Sequence, residues 1–254
     1  DLGNGYYNIT IDCNDTDFNG YGPKDIKINA SKQDYYYQPK TVQITIYSET
    51  ELTILNPLDL TVFNSGDTFN VTVFYNNTVK NLGIDGATIE YQLDPSASYK
   101  SDNVFDLGNG YYNITIDCND TDFIGYGLNT IIVNASKQYY YNQTKTVQIT
   151  IYGETELTIL NPPDLTVFNS GDTFNVTVLY NDTVKNQGID GATIEYQLDP
   201  SASYKSINVF SLGSGKYNIT VDCNDGDFVG YLLRLSSSKT SNPFYYNQSK
   251  SVNI

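Results

Sequence analysis

Histidine, tryptophan and methionine are missing from this chain of 254 residues. Without histidine it can form neither a Ser-His-Asp nor a Cys-His catalytic arrangement, and it has no imidazole to bind a metal. It also lacks the Gly-Lys-Ser/Thr phosphate loop and any Gly-x-Gly-x-x-Gly followed by a helical pattern. Paired carboxylates such as Asp15 and Asp17 are present, but they recur along the chain and mark no single pocket. We therefore expect that the protein is not an enzyme.

Basic residues are scarce, with 14 Lys and Arg against 29 Asp and Glu, which gives a net charge of −15. Because so acidic a surface repels phosphate groups, we expect no nucleic-acid partner and no attraction to anionic lipid. Long apolar runs are missing as well, so we expect no direct membrane span in this segment. Hydrophobic residues still make up 39% of the chain, which is enough for a packed core.

One passage is present three times. The sequence "DLGNGYYNITIDCNDTDF" occupies 1–18 and 106–123, and the variant "SLGSGKYNITVDCNDGDF" occupies 211–228. Residues 1–105 align without a gap with 106–210, differing at 15 positions, and 211–254 continue the alignment. A period of 105 is far longer than the 20–50 residues of solenoid repeats, so it indicates whole domains in tandem.

Apolar residues alternate with polar ones throughout, and no helical period is visible. The runs that show this alternation best are "FNVTVFY", "ATIEYQL", "GYYNITIDC" and "TVQITIY". In the first of them Phe69, Val71, Val73 and Tyr75 share one face. Turn signals such as "NSGD" and "DLGNG" separate the runs. About seven short strands per hundred residues predict an all-β fold of antiparallel β-sandwiches.

The joints between domains are predicted at "ITIYSETELTILNP" (44–57) and its copy at 149–162. This places the C-terminal half of a domain at 1–48, a whole domain at 49–153 and another at 154–254. Linkers this short predict a semi-rigid string of domains.

The half-domain at 1–48 raises a question about its apolar face, which includes Tyr7, Ile9, Ile11, Ile28 and Val42. Alone it would expose this surface and unpaired strand edges. One interpretation is that the chain is an excerpt of a longer array. The other is that a neighbouring subunit supplies strands, although both following domains leave no spare strand.

The frame "SGDTFNVTVFY…GIDGATIEYQL…DLGNGYYNITID…GYG…INASK…TKTVQITI" resembles the Ig-like, invasin-type repeats of archaeal and bacterial cell-surface and filament proteins. The resemblance extends over the whole chain and implies tandem Ig-like sandwiches that build stalks, surface layers or fibres. The chain departs from antibody-type domains because it lacks the core tryptophan and the paired cysteines.

The glycosylation motif N-x-[ST] occurs thirteen times, where chance would supply roughly five. The asparagines are Asn8, Asn14, Asn29, Asn70, Asn76, Asn113, Asn119, Asn134, Asn142, Asn175, Asn181, Asn218 and Asn247. In "YYNITI" the asparagine alternates with apolar residues and should face solvent. We expect N-linked glycans and hence an extracellular, cell-surface location. The alternative is a polar outer strand face without sugar.

The turn "DCNDTDF" carries closely spaced oxygen ligands that could hold Ca²⁺. The candidates are Asp12, Asn14, Asp15, Asp17, Asp117, Asn119, Asp120 and Asp122, with Asp222, Asn224, Asp225 and Asp227 repeating them. The alternative is a solvated turn, and no other cofactor is indicated. The nearby Cys13, Cys118 and Cys223 recur at one place per repeat, which excludes a disulfide within the chain unless the domains fold back on each other, and favours small buried thiols. The alternative is a disulfide between chains.

Tyrosine triplets precede the last strand of each repeat. They are Tyr35, Tyr36, Tyr37 and Tyr139, Tyr140, Tyr141, with Phe244, Tyr245 and Tyr246 in the final copy. Three consecutive rings cannot all face one core, so some are candidates for an interface. The leading hypothesis is a glycosylated structural repeat protein that self-associates into a filament or array. The alternative is an adhesin that grips carbohydrate or a partner protein through these aromatic loops.

Overall fold

A computed structural model describes residues 1–228, 232–239 and 244–253. These residues form nineteen β-strands and no helix. The strands are β1 (Gly22–Ala30), β2 (Gln38–Ile46), β3 (Thr50–Asn56), β4 (Thr61–Asn64), β5 (Thr68–Asn77), β6 (Leu82–Gly83), β7 (Thr88–Gln92), β8 (Val104–Gly108), β9 (Tyr111–Asp117), β10 (Gly127–Ser136), β11 (Gln143–Tyr152), β12 (Thr155–Asn161), β13 (Thr173–Asp182), β14 (Gln187–Gly188), β15 (Ala192–Gln197), β16 (Val209–Gly213), β17 (Lys216–Asp222), β18 (Leu232–Lys239) and β19 (Gln248–Asn253). Nothing among the described residues is a helix that could cross a membrane.

The chain forms two compact units. The first comprises Asp1–Leu58, Asn70–Thr115 and Ile131–Val147, and the second comprises Asp59–Phe69, Ile116–Thr130 and Gln148–Ile254.

The last copy of the repeat has the strand order of an immunoglobulin sandwich. One sheet runs β12-β13-β17-β16 and the other β15-β18-β19, which correspond to the ABED and CFG sheets of that fold. Its core is a cluster of buried apolar side chains with Tyr180, Tyr196 and Tyr217 among the largest. The predicted all-β, Ig-like β-sandwich class is confirmed.

The middle copy repeats this order, with sheets β3-β5-β9-β8 and β4-β11-β10-β7. Strand β4 pairs in parallel with the end of β11, whereas β10 pairs with β7, β3 with β5 and β8 with β9 in antiparallel fashion. The predicted inward faces are confirmed on both central strands. Phe69, Val71, Val73 and Tyr75 are buried on β5. The inward positions predicted on β9, namely Tyr112, Ile114 and Ile116, are buried as well.

The first copy differs, although its sequence is the same. Residues 6–12 repeat 111–117 letter for letter but form no strand, so the predicted alternation of Asn8 with inward side chains is wrong for this copy. Tyr7 is 72% exposed, whereas the equivalent Tyr112 is 1% exposed. The reason is that β9 lies between β5 and β8, and residues 6–12 have no such neighbours in the described structure.

The hairpin of β1 and β2 is paired over nine residues, from Gly22 with Ile46 to Ala30 with Gln38. Ile28 and Val42 on this hairpin are exposed, while Ile46 is buried. The predicted exposure of Ile28 and Val42 is therefore observed, whereas the domain bounds 1–48 stay a prediction.

At two glycines, one in each of the last two copies, two stretches of backbone pass very close to each other. A Cβ built on Gly188 would lie 2.1 Å from the backbone oxygen of Ser214, and one on Gly83 would lie 1.8 Å from that of Asn109. In both copies the short strands β6 and β14 pass directly beneath the turn of the next hairpin, and only glycine fits there.

We predict that Gly188→Ala lowers the free energy of unfolding by about 2–3 kcal/mol, because neither of the two backbones can yield without losing hydrogen bonds. Urea denaturation of the full chain measures the change. Gly226→Ala is the matched control, since a Cβ at Gly226 meets nothing within 4 Å. Equal effects of the two substitutions would contradict this account.

Candidate functional site: the repeated tyrosine cluster

The first tyrosine cluster lies within the first unit and joins Tyr139, Tyr140 and Tyr141 to Tyr21 and Tyr47. The rings of Tyr21 and Tyr140 meet edge to face with centroids 5.2 Å apart, and Tyr47 and Tyr141 are stacked at 5.7 Å. These are the separations at which aromatic rings attract one another beyond the burial of their area. The cluster therefore gathers residues that are far apart in the sequence.

Backbone hydrogen bonds support the rings. The Ser48 N–H donates to the Tyr139 carbonyl at 2.9 Å, and the Tyr141 N–H donates to the Ser48 carbonyl at 3.2 Å. The result is a short parallel bridge centred on Ser48 and Tyr140. Since these bonds use main-chain atoms, they do not depend on which side chain occupies position 48.

The core strands hold the triplet in place. The hydroxyl of Tyr75, a fully buried residue of β5, donates to the Tyr141 carbonyl at 2.8 Å. The Thr50 hydroxyl donates to the same carbonyl at 2.6 Å. Burial raises the pKa of Tyr75, so its hydroxyl keeps the proton that this bond requires.

Tyr21 is fixed by the end of β5. The Asn77 Nδ2 donates to the Tyr21 hydroxyl at 2.5 Å, while Asn77 Oδ1 accepts from the backbone of Val79 and Lys80 at 3.0 and 2.9 Å. The Lys80 ammonium lies 5.1 Å from the centroid of the Tyr21 ring, within cation–π range.

The second tyrosine cluster lies within the second unit and repeats these contacts 105 residues later. Tyr126 meets Tyr245 edge to face at 5.1 Å, and Tyr152 packs on Tyr246 at 5.3 Å. The hydroxyl of Tyr180, the equivalent of Tyr75, donates to the Tyr246 carbonyl at 2.7 Å.

The backbone bridge is also repeated. The Gly153 N–H donates to the Phe244 carbonyl at 2.8 Å, although glycine stands where the first cluster has Ser48. A Cβ at Gly153 would come within 2.8 Å of both the Tyr126 and the Tyr245 rings. The second cluster is therefore packed more tightly around this residue.

One polar contact changes its chemistry between the clusters. Asp182 replaces Asn77, and the Tyr126 hydroxyl now donates to Asp182 Oδ2 at 2.5 Å. Burial raises the pKa of Tyr126, and the bond to the Asp182 carboxylate raises it further. The Lys185 ammonium lies 3.9 Å from the centroid of the Tyr126 ring, within cation–π range.

A shallow cavity adjoins each cluster. One of about 470 Å³ is lined by the turn Cys118–Tyr126 together with Val184 and Lys185. One of about 340 Å³ is lined by residues that include Tyr21, Lys80 and Tyr139. Both have polar and charged side chains at the wall.

The predicted interface residues fall into two groups. Tyr139, Tyr140 and Tyr141 take part in the first cluster, whereas Tyr35, Tyr36 and Tyr37 are exposed, Tyr36 to 94%. The Tyr37 hydroxyl donates to Asn29 Oδ1 at 2.6 Å.

The predicted calcium ligands mostly build turns. Oδ1 of Asp12, Asp15, Asp117 and Asp120 accepts, in order, from the backbone N–H of Asn14, Asp17, Asn119 and Asp122, at 2.8 to 3.0 Å. In the last copy the Lys205 ammonium bridges Asp225 at 2.7 Å and Asp227 at 2.9 Å. No group of three or more acidic or cysteine side chains that could hold a metal occurs within the described part of the chain. The calcium site stays a prediction.

None of the thirteen sequon asparagines is buried. Five lie outside strands and are exposed, namely Asn8, Asn14, Asn119, Asn142 and Asn247. The other eight lie on strands, of which Asn29, Asn70 and Asn175 are exposed and Asn76, Asn113, Asn134, Asn181 and Asn218 are half-buried. The solvent-facing direction inferred from alternation is observed for Asn29 and Asn70, whereas glycosylation itself stays a prediction.

The three cysteines are free and differ in burial. Cys13 is exposed, Cys118 is buried and Cys223 is half-buried. Burial raises the pKa of Cys118 to about 12, helped by the nearby Asp67 and Asp117 carboxylates. One position of the repeat thus has three environments.

The sequence reasoning missed the partners of the triplets. Tyr21 and Tyr126 lie in the short segments "GYG", and Asn77 and Asp182 are the last residues of β5 and β13. These partner residues could have been found from their recurrence at a spacing of 105, which Lys80 and Lys185 share.

No family model matches the chain, and no curated protein matches it. Among solved structures it is similar to the titin fragment A168169, at 9% identity, with 80% of this chain and 96% of that chain covered and a TM-score of 0.42. It is also similar to the eight N-terminal Ig domains of Down syndrome cell adhesion molecule, at 11% identity, with 92% and 31% covered and a TM-score of 0.43. An endo-β-1,4-mannanase from Thermotoga petrophila matches at 13% identity over 40% of this chain and 19% of the enzyme, with a TM-score of 0.32. Because the similarity is this distant, it gives no information about the activity, ligands or partners of this chain.

We predict that Tyr126→Phe speeds hydrogen exchange of the Gly153 amide about tenfold. The substitution removes a hydrogen bond to a buried carboxylate, a contact worth about 1.5–3 kcal/mol, beside the bridge that protects this amide. Exchange is followed by NMR on the full chain. Asp182→Asn is the matched control and should change the rate less than about twofold, because the first cluster already uses asparagine there. Unchanged exchange in Tyr126→Phe would contradict the role of this bond.

We predict that 5,5′-dithiobis(2-nitrobenzoate) at pH 8 modifies Cys13 at least about a hundredfold faster than Cys118. The thiolate is the reacting species, and burial both blocks Cys118 and raises its pKa. Cys223, whose pKa burial also raises, should react at an intermediate rate. Cys13→Ser should remove the fast phase alone, and a single rate for all three thiols would refute the assigned environments.

Proposed function

We propose that this protein is a structural, N-glycosylated repeat protein of an extracellular filament, surface layer or stalk. Its domains are 1–48, 49–153 and 154–254, and the tyrosine clusters join each domain to the next. The observation that carries the proposal is that one set of contacts is made twice, 105 residues apart, by the same kinds of residue.

The clusters suit this role because they combine two kinds of interaction. Ring contacts supply apolar attraction, while the backbone bridges at Ser48 and Gly153 fix direction and register. A joint that is both apolar and directional makes every step along an array equivalent. Repeated equivalent steps are what a filament or surface lattice requires.

Export to a cell surface is supported by the exposure of the sequons. Eight of the thirteen asparagines are exposed and the other five are half-buried, and exposure is what the attachment of a sugar requires. The net charge of −15 favours a hydrated outer surface that does not bind nucleic acid.

A second candidate function is adhesion. Tyr35, Tyr36 and Tyr37 are exposed by 72%, 94% and 57%, and exposed rings on a loop can stack on sugars or anchor a partner protein. The structural role is preferred because the residues equivalent to Tyr35 and Tyr36 are engaged in the clusters, namely Tyr140 and Tyr141 in the middle copy and Tyr245 and Tyr246 in the last.

The test is the intact mass of native material before and after removal of glycans, together with electron microscopy of the same sample. We expect a mass above 28.4 kDa that falls on deglycosylation, and particles that share a regular repeat along their length. A native mass that does not change on deglycosylation would reject the glycoprotein. Separate, unassembled particles that bind immobilised glycans would favour the adhesin.

A further inference from the structure

We propose that the sequons include two classes: Asn8, Asn14 and Asn119, whose sequons lie wholly outside strands, accept a glycan on the folded protein, whereas the asparagines in central strands accept one only before their sheets close. This inference rests on the proposed glycosylation and adds to it which sites are open and when.

Two sequons of the middle copy are joined across the sheet by side-chain hydrogen bonds. The Thr72 hydroxyl donates to Asn113 Oδ1 at 3.2 Å, and the Thr115 hydroxyl donates to Asn70 Oδ1 at 2.9 Å. Each sequon thus gives its hydroxyl to the asparagine of the other. We call such an arrangement a sequon pair.

The last copy contains a second sequon pair. The Thr177 hydroxyl donates to Asn218 Oδ1 at 3.4 Å, and the Thr220 hydroxyl donates to Asn175 Oδ1 at 2.9 Å. The backbone register places these residues directly opposite one another, Asn175 with Thr220 and Thr177 with Asn218. The pairing therefore follows from strand register and recurs because the register recurs.

The strands that carry these pairs are central ones. β5 lies between β3 and β9, and β17 lies between β13 and β16, so both backbone edges are hydrogen-bonded. A transferase that reads N-x-[ST] needs access to the asparagine amide and to the hydroxyl two residues later. Reaching them here requires local opening of the sheet, which keeps the reactive form rare.

Three sequons meet no such obstacle. Asn14 and Asn119 lie on turns, and Asn8 lies in a segment without regular structure. All three asparagines are exposed, and all three residues of each of these sequons lie outside strands.

The chain supplies a matched comparison. Asn8 and Asn113 lie in the same eighteen-residue sequence, so a transferase sees identical neighbours on both sides. Asn8 is exposed and outside any strand, while Asn113 is half-buried in β9. A difference in their modification reports structure and not sequence preference.

The experiment treats the full unglycosylated chain, folded, with a purified oligosaccharyltransferase and its lipid-linked oligosaccharide. Site occupancy over time is measured by mass spectrometry of peptides. The unfolded reference is the synthetic peptide DLGNGYYNITIDCNDTDF, which contains the acceptors equivalent to Asn8 and Asn113 as well as Asn14 and Asn119.

We expect the peptide to be modified at its first sequon, and the folded chain to be modified at Asn8 about tenfold or more faster than at Asn113. Val71→Asp, which places a carboxylate in the core beside β9, should bring Asn113 close to the rate of Asn8. Thr88→Asp puts the same charge on an exposed position and should leave Asn113 slow.

Two results would overturn the inference. Equal rates at Asn8 and Asn113 in the folded chain would show that the sheet does not protect its sequons, while the glycoprotein itself would stand. A peptide that is not modified at all would remove these motifs as acceptors, and the proposed glycosylation would fail with the inference.

Discussion

The pairing of two central strands, β5 with β9 in the middle copy and β13 with β17 in the last, is the constraint on which the rest depends. The evidence is internal to the chain. Residues 6–12 and 111–117 are identical, yet Tyr112 and Ile114 are buried while Tyr7 and Ile9 are 72% and 58% exposed. Local propensity is the same in both, so the strand exists only where a partner covers its apolar face. Tertiary contact decides the secondary structure here.

The tyrosine clusters are built on these same strands. The buried Tyr75 and Tyr180 donate hydrogen bonds from their hydroxyls to the backbone carbonyls of Tyr141 and Tyr246, respectively. Because each ring is fixed by the sandwich core, the hydroxyl arrives at one position and orients the triplet. The exposed Tyr35, Tyr36 and Tyr37 belong to the copy in which the strand equivalent to β9 is not formed. Core packing and cluster geometry are therefore linked through single side chains.

The fold class, the repeat and the inward faces could be predicted from the sequence because period-two alternation and self-alignment report directly on strands. The failure at residues 6–12 arose because alternation shows which face would be buried but not whether a partner is present. The clusters could not be predicted because Tyr21 and Tyr140 are 119 positions apart in the sequence, and nothing local links them. Likewise, the acidic turn suggested metal ligands, whereas its oxygens accept from the backbone N–H groups of the same turn and, in the last copy, from Lys205.

The differences between copies show what the clusters require. Ser48 becomes Gly153, but the bridge survives because it uses the backbone N–H. Tyr139 becomes Phe244 and keeps its carbonyl as acceptor. Asn77 becomes Asp182, and the bond to tyrosine survives by reversing: the amide donates to the Tyr21 hydroxyl, whereas the Tyr126 hydroxyl donates to the carboxylate. In both copies Oδ1 of this residue still accepts from the backbone N–H groups two and three residues later. Each substitution retains the atoms on which the contact depends, so the clusters are defined by geometry and hydrogen-bonding capacity more than by residue identity.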